Sequence, residues 1–416
     1  MRMDMDNMKK DIAILKNTSS IFKTMRANYI SKFIPSQGPH AIVIKVTDNC
    51  NLACRYCYRE NERKKSVIDP DTVLSLFDQL AESSNSEMEC ILHGGEPLAE
   101  MEVCREICDK INNRYYAPRI QFRIQTNGTI INGEVIDMIK KYNIGIGVSL
   151  DGVLDVHDKY RQDCNGRGTF DTVMQGINKL KAEDLLSVGV LCTVASHNSH
   201  RLVDFLELAK QLSLSGVALS PFSGSADSDM TPDNKIYAKG FREAVEWLEH
   251  HNLNAEPDKR MRLRELDSII YSIIYPDTPN KISMCYGLPC GAGTKHISIE
   301  CDGRIYACDC LCDIEEAFLG NINETALADI LGSPKIKYFS EYTSNNLEEC
   351  SECDIKGQCG GHCPSRKIAY YGENSDWRRK RSHQCNFYQE IIAYLRKRMK
   401  EPSFMQFAEE LMKAKK

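Results

Sequence analysis

The chain has 416 residues, 42% hydrophobic and 27% charged, enough to bury a sizeable core in about two domains. A net charge of −5 excludes a globally basic nucleic-acid binder, because phosphate binding needs concentrated positive charge, and no window reads as a membrane span. The first residues carry mixed charge where a signal peptide would need an apolar core, which points to a cytoplasmic protein, and in that reducing compartment nineteen cysteines read as metal ligands, not disulfides.

Residues 1–40 read as a short helical extension. From 41 to 220, short apolar runs alternate with amphipathic stretches of helical period. Strands are expected at 41–47, 88–93, 120–126, 144–150, 187–196 and 216–220, and helices at 70–82, 101–112, 133–142, 169–181 and 199–212. The first helix opens on Asp69-Pro70, an N-cap followed by proline at the first helical position. Six strands separated by helices imply a parallel α/β sheet with right-handed crossovers, either open and doubly wound or closed into a partial barrel. Polar or glycine-rich motifs follow four strand ends: Thr47-Asp48-Asn49-Cys50, His93-Gly94-Gly95-Glu96-Pro97, Thr126-Asn127-Gly128-Thr129 and Ser149-Leu150-Asp151-Gly152. Ligands bind at the carboxyl ends of parallel strands, so these loops should line one site.

Within that set, Cys50, Cys54 and Cys57 place three thiolates within eight residues. One loop of this kind can ligate three irons of a cubane and leave the fourth open for a small molecule, whereas a zinc knuckle would need a fourth ligand nearby. After Pro221 comes a polar stretch at 223–234, then helix-like segments, a domain boundary near 280, and a cysteine-dense region. Its pattern is Cys285-x4-Cys290, Cys308, Cys350-x2-Cys353-x5-Cys359-x3-Cys363 and Cys385, enough thiolates for two four-cysteine clusters or two zinc sites. Cys301, Cys310 and Cys312 flank Cys308 closely enough that one could replace a ligand. Cys90, Cys192, Cys104 and Cys108 read as small core residues, the basic run at 378–381 as solvated surface, and 387–416 as helix interrupted at Pro402.

The triple-cysteine loop, with Tyr56 inside it, resembles the C-x3-C-x-aromatic-C signature of the radical S-adenosylmethionine (SAM) superfamily, over about residues 41–220. Gly94-Gly95-Glu96-Pro97 is similar to that family's loop for the SAM amino group. The resemblance implies a partial (β/α)6 barrel over 41–280, with a 4Fe-4S cluster on Cys50, Cys54 and Cys57. SAM would be held by Tyr56, Gly94, Gly95, Glu96, Pro97, Asn127, Ser149 and Arg161, and cleaved to methionine and a 5′-deoxyadenosyl radical. Residues 281–390 resemble the SPASM auxiliary-cluster domain, folded back over the barrel mouth and followed by a helical tail at 391–416. By that resemblance Cys285, Cys290, Cys308 and Cys363 would hold one auxiliary 4Fe-4S cluster and Cys350, Cys353, Cys359 and Cys385 a second, three clusters in all, reduced by an external donor such as flavodoxin or ferredoxin.

Asp309 stands where the anaerobic sulfatase-maturing branch keeps a catalytic base, and Gly360-Gly361-His362-Cys363-Pro364 resembles a knuckle shared with maturases of ribosomally made peptides. Tyr58-Arg59 departs from the Phe-Tyr of the sulfatase branch. The implied substrate is a peptide or protein side chain, without nucleic acid or membrane. The expected activity is a thioether, ether or carbon-carbon cross-link in a ribosomally made peptide; oxidation of Cys or Ser to formylglycine stands second and a non-catalytic iron-sulfur electron carrier third. Forty N-terminal residues are too few for a leader-binding domain, so leader recognition would fall to another surface or a separate partner.

Overall fold

The computed structural model of the chain describes residues 38–57, 66–183, 185, 188–275, 290–339, 341–342 and 347–412. Nearly all of the expected N-terminal helical extension, the boundary near 280, Cys285 and Tyr58 lie outside the described residues.

The six expected strands are all present: β1 (Ala41–Thr47), β2 (Met88–Gly94), β3 (Ile120–Thr126), β4 (Gly145–Ser149), β5 (Val188–Val194) and β6 (Gly216–Pro221). They run parallel in that order, and a two-residue strand, β7 (Arg262–Leu263), extends the far edge. Every residue of β1 is buried, as expected for a parallel strand covered on both faces. Alternation divides its side chains. Ile42, Ile44 and Val46 join the main apolar core, while Val43 and Lys45 line an inner cleft with His93, Ser298 and Glu300.

The crossovers are helices α1 (Pro70–Ser83), α2 (Met101–Asn112), α3 (Gly133–Tyr142), α4 (Leu154–Tyr160), α5 (Phe170–Ala182) and α6 (Leu202–Gln211), with α7 (Asn234–Asn254) and α8 (Arg264–Ile274) after the barrel. Local signals set their ends. The Asp69 carboxylate accepts from the Asp71 N–H ahead of Pro70, and Asn132 caps α3 by accepting from the Val135 N–H.

The cysteine-rich region adds strands to the same sheet. β8 (His296–Ile299) pairs parallel with β1, then β9 (Arg304–Tyr306) and β10 (Phe318–Asn321) follow antiparallel, giving ten strands in the order β10-β9-β8-β1-β2-β3-β4-β5-β6-β7. Strands of three or four residues are too short for a periodicity reading, which is why the expected count stops at six. Beyond them come α9 (Leu327–Gly332), α10 (Lys356–Cys359), α11 (Pro364–Tyr371), α12 (Cys385–Arg398) and α13 (Pro402–Met412). Pro402 opens the last helix, a position proline tolerates because that N–H has no helical partner. The tail returns to the barrel at the end of β6: the Ala226 N–H donates to the Tyr370 carbonyl at 3.2 Å and Arg366 reaches Ser220 Oγ at 3.5 Å. Alongside, α12 packs on α7 through stacked Tyr237 and Phe387, 4.1 Å between centroids, and Arg398 pairs with Glu249 at 2.5 Å.

Candidate functional site

The triple-cysteine loop leaves β1 and is pinned by backbone hydrogen bonds on both sides. Thr47 and Asn49 carbonyls accept from the Gly95 and Glu96 N–H groups at 2.7 and 2.8 Å, and the Ala53 and Arg55 N–H groups donate to Gln162 and Tyr160 carbonyls at 2.7 and 2.9 Å. Donors point at the sulfurs: the Leu52 N–H at Cys50 Sγ, 3.4 Å, Asn127 Nδ2 at the same sulfur, 3.9 Å, and Arg161 Nη1 at Cys54 Sγ, 3.6 Å. Burial pushes the Cys50 thiol up to about 11 and raises Cys54 as well. A metal that deprotonates these thiols would reverse that cost, and the surrounding donors suit thiolates. This loop fits an iron-sulfur cluster.

The Gly94-Gly95 turn is shaped for close approach. Gly94 has φ +127°, a region L side chains avoid, and a Cβ on Gly95 would run into the Asn49 carbonyl. Glu96 is fully buried. Its carboxylate accepts from Thr126 Oγ1 at 2.7 Å, the Asn127 N–H at 2.7 Å and the Leu98 N–H at 3.1 Å. Burial raises its pKa against the pull of these donors. Glu96, expected among the SAM contacts, therefore braces the ends of β2 and β3 from beneath, and Pro97 starts the buried 3-10 turn after it. Asn127 links across to Asn51 Oδ1 at 2.8 Å, and Ser149 Oγ accepts from Gln125 Nε2 at 3.1 Å.

Arg161 is 8% exposed and pairs with Asp151, Nε to Oδ2 at 3.3 Å, its guanidinium lying over the Tyr56 ring at 5.6 Å. The Tyr56 hydroxyl donates to the same carboxylate, whose other oxygen accepts from the Thr193 N–H at 2.9 Å. Burial works against the Arg161 charge, but Tyr56, Asp151 and Cys54 hold it protonated. Asp151 is thus the hub joining the cysteine loop, β4 and β5. In the sequence it stands inside a strand-end motif with no role assigned, and an acid set between Leu150 and Gly152 directly after an apolar strand was the available signal.

A small cleft opens beside Gly94, lined by Val43, Lys45, His93, Ser298, Glu300 and Asp309. Lys45 pairs with Glu300 at 2.7 Å and with Asp48, and the Cys312 thiol donates to the other Glu300 oxygen at 2.7 Å. The charged position in the otherwise apolar AIVIKVT of β1 was the sequence signal for this network. Asp309 faces the cleft while its carboxylate accepts from the Cys308 thiol at 3.4 Å and the Cys310 thiol at 3.6 Å.

Among the described residues, two further groups of cysteines form in the region after the barrel. Around Asp309, the ligand atoms of Cys308, Asp309 and Cys310 lie within 4.8 Å of one another. Burial pushes Cys290 up to about 12, with the Cys363 sulfur adding to it. Cys310 therefore shares this neighbourhood, while Cys301 donates to the Lys45 carbonyl at 3.3 Å and Cys312 to Glu300. The second group is Cys350, Cys353, Cys359 and Cys385: burial pushes Cys359 up to about 12 and the other three sulfurs add to it. Between the groups, Gly360, Gly361 and His362 have φ of +65°, +85° and +70°, a left-handed run that separates Cys359 from Cys363. His362 Nε2 lies 3.1 Å from Cys359 Sγ. Cys90, Cys104, Cys108 and Cys192 are in the apolar core.

Residues 44–209 match the Radical SAM superfamily model and residues 290–354 the SPASM iron-sulfur cluster-binding domain model. The chain is 24% identical over 372 residues to the cysteine-type anaerobic sulfatase-maturating enzyme of Clostridium perfringens, covering 86% of this chain and 96% of that one. Among solved structures, native anSMEcpe with bound AdoMet and Cp18Cys peptide superposes with a TM-score of 0.76 at 22% identity, over 89% of this chain and 99% of that one. Streptococcus suis SuiB bound to precursor peptide SuiA gives 0.62 at 14% identity, over 87% and 79%. Both structural likenesses establish the fold. The two domain matches lie on the barrel and on the cysteine-rich region just described, so the chain carries a Radical SAM domain followed by a SPASM iron-sulfur cluster-binding domain.

Proposed function

We propose that the chain is a maturase that oxidises a Cys or Ser side chain in a peptide segment to the aldehyde level. The observation that carries this reading is Asp309, a carboxylate in the same cleft as the Gly94 turn. Iron-sulfur clusters on the three cysteine sets would supply an electron for SAM cleavage and an acceptor for the electron left on the substrate, and SAM a radical that takes a hydrogen atom from carbon. Gly94, Gly95 and Pro97, with Asn127, Ser149 and Tyr56, would hold SAM over the strand ends, Glu96 bracing the loop and Arg161 holding Tyr56 and Cys54 in place. Asp309 accepts the proton from the substrate hydroxyl or thiol as the neighbouring carbon is oxidised, so hydrogen atom, proton and electron each have a destination; Ser gives the aldehyde directly, and Cys gives a thioaldehyde that water hydrolyses with release of sulfide. The likeness to the Clostridium perfringens enzyme along nearly the full chain supports this order of readings.

The second reading is cross-linking of a ribosomally made peptide. The Tyr58-Arg59 departure favours it, and the fold is shared with SuiB, a protein solved bound to a precursor peptide. Cys- and Ser-containing peptides incubated with the reconstituted enzyme, SAM and a flavodoxin or ferredoxin donor separate the two. An aldehyde trapped by hydrazide is the expected product, and a dehydrogenated, hydrazide-silent product would move the assignment to cross-linking. Asp309→Asn should lower aldehyde formation about 10²- to 10⁴-fold while 5′-deoxyadenosine still forms; equal loss of both would remove Asp309 from the role of base.

A further inference from the structure

Lys367 is the one lysine in the described residues with no exposed surface at all. An ammonium taken out of water needs a counter-charge. Its Nζ donates to the Tyr342 hydroxyl and to the Lys380 carbonyl, both neutral acceptors, and the rings of Tyr342 and Trp377 stand 4.7 and 5.9 Å away. Among the described residues no carboxylate is paired with it. Glu349, the acid that acts on it electrostatically, has a side chain 54% exposed and pairs with Arg381 at 3.3 Å. An ammonium has three N–H groups, and two are used.

The chain around Lys367 leads to the second cysteine group: Lys380, whose carbonyl it holds, precedes Arg381, and Arg381 pairs with Glu349, the neighbour of Cys350. Cys350 and Cys359 act on its charge and also on the hydroxyl of Tyr342, its hydrogen-bond partner. The lysine is held in place by the knuckle itself: its N–H donates to the Cys363 carbonyl at 3.3 Å, one turn into α11. A folded chain that buries this cation and, among the described residues, pairs no carboxylate with it leaves the thiolates of the second cysteine group as its nearest source of negative charge.

We propose that Lys367 is the counter-ion of a 4Fe-4S cluster held by Cys350, Cys353, Cys359 and Cys385, and that its charge raises that cluster's reduction potential. The inference rests on the reading of these four cysteines as a cluster site. Four thiolates leave such a cluster net negative, and reduction adds one more negative charge. A fixed cation in a water-poor surrounding stabilises the reduced form more than the oxidised one. Lys367 is a positioning residue in this scheme, acting on the electron acceptor and not on the substrate. It makes the second auxiliary site a better electron sink than the four cysteines alone would be.

The test uses the full chain, reconstituted anaerobically as wild type, Lys367→Met and Lys367→Arg, with iron and sulfide content and an EPR-monitored redox titration. The signal of the second auxiliary cluster is assigned by its absence in Cys359→Ala. Lys367→Met should shift that cluster's midpoint potential downward and leave the other signals in place, and Lys367→Arg should hold it near the wild-type value. Loss of this site's iron in the Met variant but not the Arg variant likewise supports a counter-ion. An unshifted potential in Lys367→Met, or equal iron loss in both variants, overturns the inference. Wild-type protein with no iron on these cysteines sinks the cluster reading itself, a result distinct from an unshifted potential.

Discussion

The barrel and the cysteine-rich region hold their thiols in different ways. In the barrel, Cys50, Cys54 and Cys57 hang from a buried seven-residue strand, and backbone hydrogen bonds from two neighbouring loops pin the segment between them. The loop's shape follows from regular structure, so it exists before any metal arrives. In the region from Cys290 to Cys385, strands have three or four residues and 3-10 turns are frequent. Here the thiols are brought together by left-handed residues at 360–362 and raised by burial to about 12 at Cys290 and Cys359. Ladders of backbone bonds make a site rigid on their own; turns around buried thiols make one whose stability is tied to metal binding.

The sharpest way to break that contrast is to remove iron. Anaerobic chelation should make the segment 290–385 susceptible to limited proteolysis while a fragment spanning the barrel, residues 38–275, stays resistant. Equal susceptibility of both halves would show that the barrel loop depends on metal just as strongly. A smaller effect probes the barrel's own bracing. Glu96→Ala leaves the Thr126 hydroxyl and the Asn127 and Leu98 N–H groups without their acceptor, and should cost about 3 kcal/mol in urea unfolding of the iron-free protein. No change in the unfolding midpoint would mean that the glycine turn is held by its backbone bonds alone.

The mildest perturbation is pH. Burial lowers the buried His157, packed between the Asp151 N–H and Thr169 Oγ1, to about 4, whereas the unfolded side chain titrates near 6.5. Between those values the unfolded chain binds the extra proton, so stability is full above about 6.5 and declines toward pH 4, by up to about 3 kcal/mol from this group. His157→Gln should flatten that slope in the iron-free protein, and a slope unchanged by the substitution would assign it to other groups.

The barrel was legible because apolar β-branched runs and capped amphipathic helices repeat through it: the bounds of β1, β3, α2 and α3 follow from local pattern alone. The short strands β8 to β10 were not, since runs such as Arg304–Tyr306 are too short to carry a period, and the group is anchored through β8, whose parallel partner β1 lies more than 250 positions earlier. At the site, chemistry-bearing residue types were visible but their partners were not. Glu96 and Arg161 read as ligand contacts, and what the sequence did not show is that Glu96 faces Thr126 and Arg161 faces Asp151, partners that only the crossovers bring near. The lysine at 367 drew no reading from the sequence, and nothing in its neighbours' identities announces that it is buried.

The parallel pairing of β1 with β8 also bears on how the chain is made. The ribosome delivers the strand at 41–47 roughly 250 residues before the strand at 296–299 that covers its outer edge, an interval of tens of seconds at ordinary translation rates. During that interval the nascent sheet presents an apolar strand with unpaired backbone groups, the kind of edge on which chains aggregate. Synthesis of this enzyme therefore includes a window in which a chaperone has a defined place to act.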